Sequence, residues 1–189
     1  TYFVLGSIKY LYEWDWIGAE QAFKKGMELN PNYVWGRIYY ANFLTAQGRF
    51  EESIRIGQQT LKLSPLDPGV SGELGFALFF DGQNEKALEL YNKSLELNPN
   101  FDPTLACMAI LYAREGQYDQ AIIDFSKAIE ISPSNAMVYY YRGFAYYYQK
   151  QDDRAIVDFS KAIALNLNDA PLYYHRGLAH GHLGLNNEA

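Results

Sequence analysis

A chain of 189 residues is long enough for one or two ordinary domains or for one elongated repeat array. Hydrophobic residues make up 49%, which supports a sizeable core, and a net charge of −6 from 16 basic and 22 acidic residues argues against a nucleic-acid binder, whose affinity rests on basic phosphate contacts. The lone Cys107 excludes an intrachain disulfide framework and fits a reducing, cytoplasmic setting, and no run of about 18 apolar residues is present to insert into a membrane.

Proline sets a ruler along the chain. Pro31, Pro65, Pro99 and Pro133 stand 34 residues apart, and the next step falls on Leu167. The context repeats with it: Leu29-Asn30-Pro31, Leu63-Ser64-Pro65, Leu97-Asn98-Pro99, Ile131-Ser132-Pro133 and Leu165-Asn166-Leu167. Other columns keep step. A small residue recurs at Ala19, Ser53, Ala87, Ala121, Ala155 and Ala189, and four positions later come Phe23, Gly57, Tyr91, Phe125 and Phe159. Gly48, Gly82, Gly116 and Gly184 mark a turn, with Trp14 and Lys150 in the same column.

A period of 34 residues with these marks resembles the tetratricopeptide repeat family. The fourth repeat carries the family pattern as Leu105, Met108-Ala109, Tyr112, Ala121, Phe125 and Pro133. The fifth carries it as Tyr139, Arg142-Gly143, Tyr146, Ala155 and Phe159. The resemblance covers the whole chain and implies an all-α fold: a right-handed superhelical solenoid of antiparallel helix pairs, each pair burying its apolar faces against the next. On this reading residues 1–189 form a single array of repeats at about 1–33, 34–67, 68–101, 102–135 and 136–169, with a partial repeat at 170–189. The opening stretch, from Glu13-Trp14-Asp15-Trp16 through Asn30-Pro31-Asn32-Tyr33, also resembles repeat regions appended to bacterial signalling and regulatory proteins. The chain opens on Thr1 and stops at Ala189 in mid-repeat, so it is expected to be a piece of a longer protein.

Each repeat reads as a first helix, A, and a second, B. The resemblance implies that one stripe of helix A packs inside the array and a second stripe lines a concave groove. In chain order, the first repeat offers Val4, Ile8 and Leu11 to that groove, and the second offers Trp35, Ile38, Asn42 and Thr45. Two departures fall in the second repeat. Gly57 replaces the large aromatic residue and Arg37 stands where a large apolar one is usual, so looser packing is expected there. The third repeat offers Phe76, Phe79 and Phe80, with Glu73 beside them.

In the fourth repeat, helix A is expected over Thr104–Arg114 and helix B over Tyr118–Ile131. Gly116 ends the first, because glycine tolerates a left-handed backbone, and Pro133 ends the second. Asp102 is expected to cap helix A with Pro103 at the first helical position. This repeat offers Ala106, Cys107, Ile110 and Arg114 to the groove. The fifth offers an aromatic stripe, Tyr140, Phe144, Tyr147 and Tyr148, and is followed by Leu167, which is expected to lengthen or smooth the last inter-repeat turn. The sixth offers Tyr174, His175 and Leu178.

Catalytic chemistry is not legible. No nucleophile motif, metalloprotease helix or phosphate loop is present, so neither an enzyme nor a cofactor is expected. Gly177, Gly181 and Gly184 lack the spacing of a dinucleotide loop. The histidines His175, His180 and His182 lie in the last repeat with no Cys or carboxylate cluster to complete a metal site, and His180 takes the packing column of Tyr112 and Tyr146. Asn92-Lys93-Ser94 matches a glycosylation acceptor but falls inside an expected helix. Glu51-Glu52 and Asp152-Asp153 open second helices, where carboxylates favour the positive helix end, and read as caps and solvated faces.

The expected function is therefore non-catalytic binding of a protein or peptide segment. Large aromatics bury much area at low entropic cost and dominate binding hot spots. Chaperone-docking members of the family grip a terminal carboxylate with Lys, Arg and Asn on successive A helices. Here those positions read Val4 and Ile8, Ile38 and Asn42, or Ala106 and Ile110, so no basic cluster forms, and Asn42 alone is expected to hydrogen-bond a ligand backbone. Two other readings are carried. One is a homodimer through the partial repeat, using Leu172, Leu178 and Leu183; the other is a regulatory region of a larger bacterial signalling protein.

Overall fold

The computed structural model describes residues 2–167 and 169–184, so Ala189, the last member of the small-residue column, lies outside the described residues. Among the described residues the regular structure is helical throughout, in eleven α-helices. The chain divides into two compact units, Thr1–Pro99 and Asn100–Ala189.

The first unit holds three helix pairs. Helix α1 (Tyr2–Ile8) runs into a π-helical turn over Lys9–Glu13 and pairs with α2 (Trp16–Leu29). Helix α3 (Val34–Ala46) pairs with α4 (Phe50–Leu63), and α5 (Pro68–Phe80) with α6 (Asn84–Leu97). Successive A helices also touch, α1 with α3 and α3 with α5. The second unit holds α7 (Asp102–Arg114) with α8 (Tyr118–Ile131), α9 (Ala136–Tyr148) with α10 (Asp152–Ala164), and α11 (Ala170–His182) against α9 and α10.

The repeated columns become the core. Phe23, Tyr91, Phe125 and Phe159 are fully buried, as are Ala19, Ala87, Ala121 and Ala155 four positions before them. Small residues on the A helices make room for these rings. A Cβ on Gly75 would come within 2.7 Å of Tyr91, and one on Gly143 within 2.9 Å of Phe159. Burying a Phe side chain contributes roughly 2–3 kcal/mol, so each of these rings ties its helix pair to its neighbours.

The A-to-B turns close in one way. Gly48, Gly82 and Gly116 adopt left-handed backbone, and so do Trp14 and Lys150 in the same column, at φ 56° and 61°. Each such residue lets the next amide reach back along the chain to a carbonyl of the last helical turn. The Arg49 N–H donates to the Leu44 carbonyl at 2.9 Å, and Gln151 donates to Tyr146 at 2.9 Å. After helices α2, α4, α6 and α8 the following proline forbids this closure, and the residue before it is extended. Leu167 restores the missing N–H. It donates to Ala162 at 3.1 Å, Asn166 turns left-handed at φ 68°, and α10 ends at Ala164.

Two expectations need correction. Helix α7 starts at Asp102, with Phe101 as its cap, because the Leu105 N–H closes on the Phe101 carbonyl at 3.2 Å. The capping role fits Asp67 instead, whose carboxylate accepts from the Gly69 N–H at 2.8 Å ahead of α5. At Gly57 Leu74 leans into the space, and a Cβ there would meet it at 2.8 Å, but a small cavity bordered by Gly57, Arg37, Ser53 and Thr60 remains, as the looser packing expected there implies. Arg37 is buried and satisfied, donating to the Pro31 carbonyl (2.7 Å), Gln59 (2.7 Å) and Thr60 (3.0 Å).

Candidate functional site

In the first unit the exposed part of the A helices is apolar. Val4, Ile8 and Leu11 lie open on α1 and the turn that follows it, and Trp35 and Tyr39 are more than two-fifths exposed on α3. On α5, Phe80 is exposed and stacks on Phe50 at 6.5 Å, while half-buried Phe76 meets Phe80 edge-on at 4.8 Å. Three expected groove residues do not face solvent. Ile38 and Phe79 are each 4% exposed, and Thr45 is buried with its hydroxyl on Ser53 and the Ala41 carbonyl. Helix α5 is apolar all round, so no stripe in its sequence separates inner from outer face.

Asn42 is half-buried on α3, which touches the α5 helix of Glu73. Burial pushes the Glu73 carboxyl up to about 6, with the Asn42 amide pulling the other way. Glu73 also borders a small cavity with Arg37, Ser53, Gly57 and Thr60.

In the second unit the expected aromatic residues meet. His175 on α11 sits among rings from α9, with centroids at 4.9 Å to Phe144 and 6.3 Å to Tyr140 and Tyr147; Tyr174 lies at 5.4 Å. Its Nδ1 is 2.7 Å from the Pro171 carbonyl oxygen. A carbonyl only accepts, so Nδ1 carries the proton and Nε2 is left to interact elsewhere. Tyr140, Phe144 and Tyr147 are half-buried, whereas Tyr148 and Tyr174 are exposed, Tyr174 at 64%. Arg114, at the end of α7, is also exposed.

Several participants were not legible as site residues. Tyr118 on α8 stacks on Tyr148 at 5.4 Å and 12°. His182 stacks on Tyr147 at 5.2 Å and 11°, and its Nδ1 lies 3.2 Å from Asp152. Asp152 is therefore a buried partner of α11 rather than a solvated face. The Lys150 ammonium stands 5.7 Å from the Tyr147 ring centre. Tyr39 shares the 34-residue column of Glu73 and His175, which is the signal that finds it.

Other residues fall where they pack. His180 is buried. Leu172 is fully buried in the cluster of Tyr139, Phe159 and Ala179, so of the three leucines expected to pair two copies only Leu183 is exposed. Among the described residues no group of three His, Cys, Asp or Glu side chains is placed to hold a metal ion, and no helix is long and apolar enough to cross a membrane.

Comparison with known proteins agrees with this architecture. Family models described as TPR or tetratricopeptide repeat match residues 71–101, 90–123, 109–150 and 136–169. No curated protein sequence matches the chain. Among solved structures the fold is similar to TTC0263, a thermophilic TPR protein of Thermus thermophilus, with a TM-score of 0.83 and 18% identity over 94% of this chain and 96% of that one. It is also similar to MamA of Desulfovibrio magneticus RS-1, with a TM-score of 0.69 and 21% identity over 82% and 87%. YrrB, described as a TPR protein with an unusual peptide-binding site, aligns with a TM-score of 0.59 and 22% identity over 92% and 89%.

Proposed function

The chain belongs to the tetratricopeptide repeat family, and we propose that it is a non-catalytic interaction module that binds an apolar-aromatic segment of a protein partner on its A-helix faces. The observation that carries this reading is the ring cluster around His175. Tyr140, Phe144, Tyr147 and Tyr174 converge on one imidazole, and Tyr148 and Tyr174 keep large areas in water. Contiguous exposed aromatic surface is costly on a soluble fold and marks recognition. The similar protein YrrB, with its peptide-binding site, supports the same class of partner.

The reading is tested by selecting displayed peptides against the purified chain and counter-screening the winners on a Tyr148→Ala/Tyr174→Ala variant. Peptides rich in aromatic and aliphatic residues should be enriched and should lose at least tenfold in affinity on the variant. Equal affinity for both proteins, or no enrichment, would remove the A-helix face from consideration.

A further inference from the structure

We infer that the turn between α1 and α2 is a membrane-interface anchor: Tyr12, Trp14 and Ile17 enter the boundary between headgroups and acyl chains of a zwitterionic lipid bilayer, so that the chain lies on the membrane without spanning it. These three side chains are 78%, 71% and 76% exposed, and Leu11 beside them is 54% exposed. Four large apolar side chains thus stand in water within seven consecutive residues, a density that marks a contact surface.

The repeat itself does not demand them. Trp14 stands in the turn column where four repeats carry glycine, and it holds left-handed backbone at φ 56°, which strains a bulky side chain. Ile17 falls, by the 34-residue period, in the column of Glu51, Glu85, Asp119 and Asp153. Those carboxylates sit in the first turns of α4, α6, α8 and α10, where they favour the positive helix end, whereas α2 has no acid there. At both positions the first repeat gives up the residue that the backbone favours and sets a large apolar one in water. Nor are these positions that a neighbouring repeat covers: every other described member of the two columns is exposed.

Lipid is the medium this chemistry fits. Trp and Tyr concentrate at membrane–water interfaces, where the ring meets the acyl chains and the N–H or O–H stays hydrated, and Ile and Leu add apolar area. A turn closing a helical hairpin is convex, and it enters a fluid layer without a matching pocket. Charge points the same way, because a low-dielectric phase excludes the carboxylates that the other B helices carry and α2 lacks. Of the charges that remain on the turn, the Lys9 ammonium pairs with Asp15 at 2.6 Å and Glu13 at 3.7 Å, and Asp15 also accepts from the Gly18 N–H at 2.8 Å. Lys9, Glu13 and Asp15 together leave one net negative charge, which suits zwitterionic headgroups and not an anionic surface. The base of the turn is fixed. Tyr10 and Trp16 pack on buried Phe43 with ring centroids at 5.6 and 6.2 Å, and Trp14 lies 6.2 Å from Trp16. Little backbone freedom is therefore left to lose on binding.

Flotation with phosphatidylcholine vesicles, read together with tryptophan emission, tests the anchor. The chain should float with the vesicles and its emission should move to the blue. Trp14→Gly and Ile17→Glu install residues that other repeats use at these positions, so both variants should keep the wild-type circular-dichroism signal and thermal midpoint or exceed them. Each should nonetheless lower vesicle partitioning by about tenfold, the factor carried by withdrawing one large side chain from an apolar phase. The blue shift should vanish in Trp14→Gly although Trp16 and Trp35 remain. Replacing part of the phosphatidylcholine by phosphatidylserine should not strengthen binding, and Tyr148→Ala/Tyr174→Ala should float like wild type. A wild-type chain that stays unbound at millimolar lipid would overturn the anchor and leave the turn to a groove on a protein. Undiminished flotation of Trp14→Gly and Ile17→Glu, binding that requires phosphatidylserine, or an equal loss in Tyr148→Ala/Tyr174→Ala would overturn it as well.

Discussion

Arg142 on α9 holds both carboxylate oxygens of Asp158 on α10, with Nε at 2.7 Å and Nη2 at 2.9 Å. Its third nitrogen donates to Ser126 on α8 at 3.0 Å, so one guanidinium fastens three successive helices. Asp158 is buried and Arg142 partly so, and the carboxylate beside it raises the guanidinium further above its already high range. Asp158→Ala should destabilise the second unit by about 3 kcal/mol, because removing one member of a buried pair leaves the other charge unmatched. Urea unfolding monitored by circular dichroism checks this; a loss under about 1 kcal/mol would mean that water compensates Arg142 freely.

Glu73 makes stability depend on pH. Its carboxyl is pushed up to about 6 in the folded protein, against an ordinary value of 4.5. The folded state therefore holds this proton more tightly than the unfolded chain does. Below the ordinary value both states are protonated and no penalty exists. As pH rises from there through the folded value the penalty grows, and it is complete above it, at about 2 kcal/mol. Glu73→Gln should thus match wild type near pH 4 and exceed it by up to about 2 kcal/mol at pH 7.5. Denaturation midpoints that differ equally at both pH values would show that the change acts through packing instead.

Lys150 occupies a turn position where four repeats use glycine, and it holds left-handed backbone at φ 61°. A non-glycine residue in that region costs about 1–2 kcal/mol, offset in part by the extra freedom glycine gives the unfolded chain. Lys150→Gly is expected to stabilise the second unit by about 0.5–1 kcal/mol even though it removes the ammonium near Tyr147. A rise in thermal midpoint of a few degrees is the readout, and a fall would mean that the Lys150–Tyr147 contact outweighs the backbone strain.

The architecture was legible because it is written in a period. Proline, alanine, glycine and aromatic columns each answer one backbone or packing demand, and the helix expected over Tyr118–Ile131 has those ends. What was not legible lies where one column admits two environments. Ile38 and Tyr140 share a column, yet Ile38 is buried and Tyr140 half-buried. Arg37 reads as a defect by itself, but Thr60 and Gln59 complete it. The contacts of His182 with Tyr147 and Asp152 join residues about a full repeat apart, on different helices, which no local spacing reveals.

The proposed face separates into residues that bind and residues that hold. Tyr174 is 64% exposed, and its ring touches His175 only at a T-shaped 5.4 Å. Tyr174→Ala should change stability by no more than about 0.5 kcal/mol, as surface substitutions do. Phe144 is half-buried and meets Tyr148 at 4.7 Å, His175 at 4.9 Å and Tyr140 at 6.3 Å. Phe144→Ala removes the ring on which the others rest and should cost about 2–3 kcal/mol, toward the low end for a Phe truncation because the site is not sealed from water. Binding and stability must then part company. Tyr174→Ala should weaken a selected peptide at least tenfold with its unfolding curve unmoved, while Phe144→Ala should shift both. A Tyr174→Ala protein that keeps full affinity would place the binding surface away from α11, even if Phe144→Ala abolishes binding, since that loss would then follow from the collapse of the cluster.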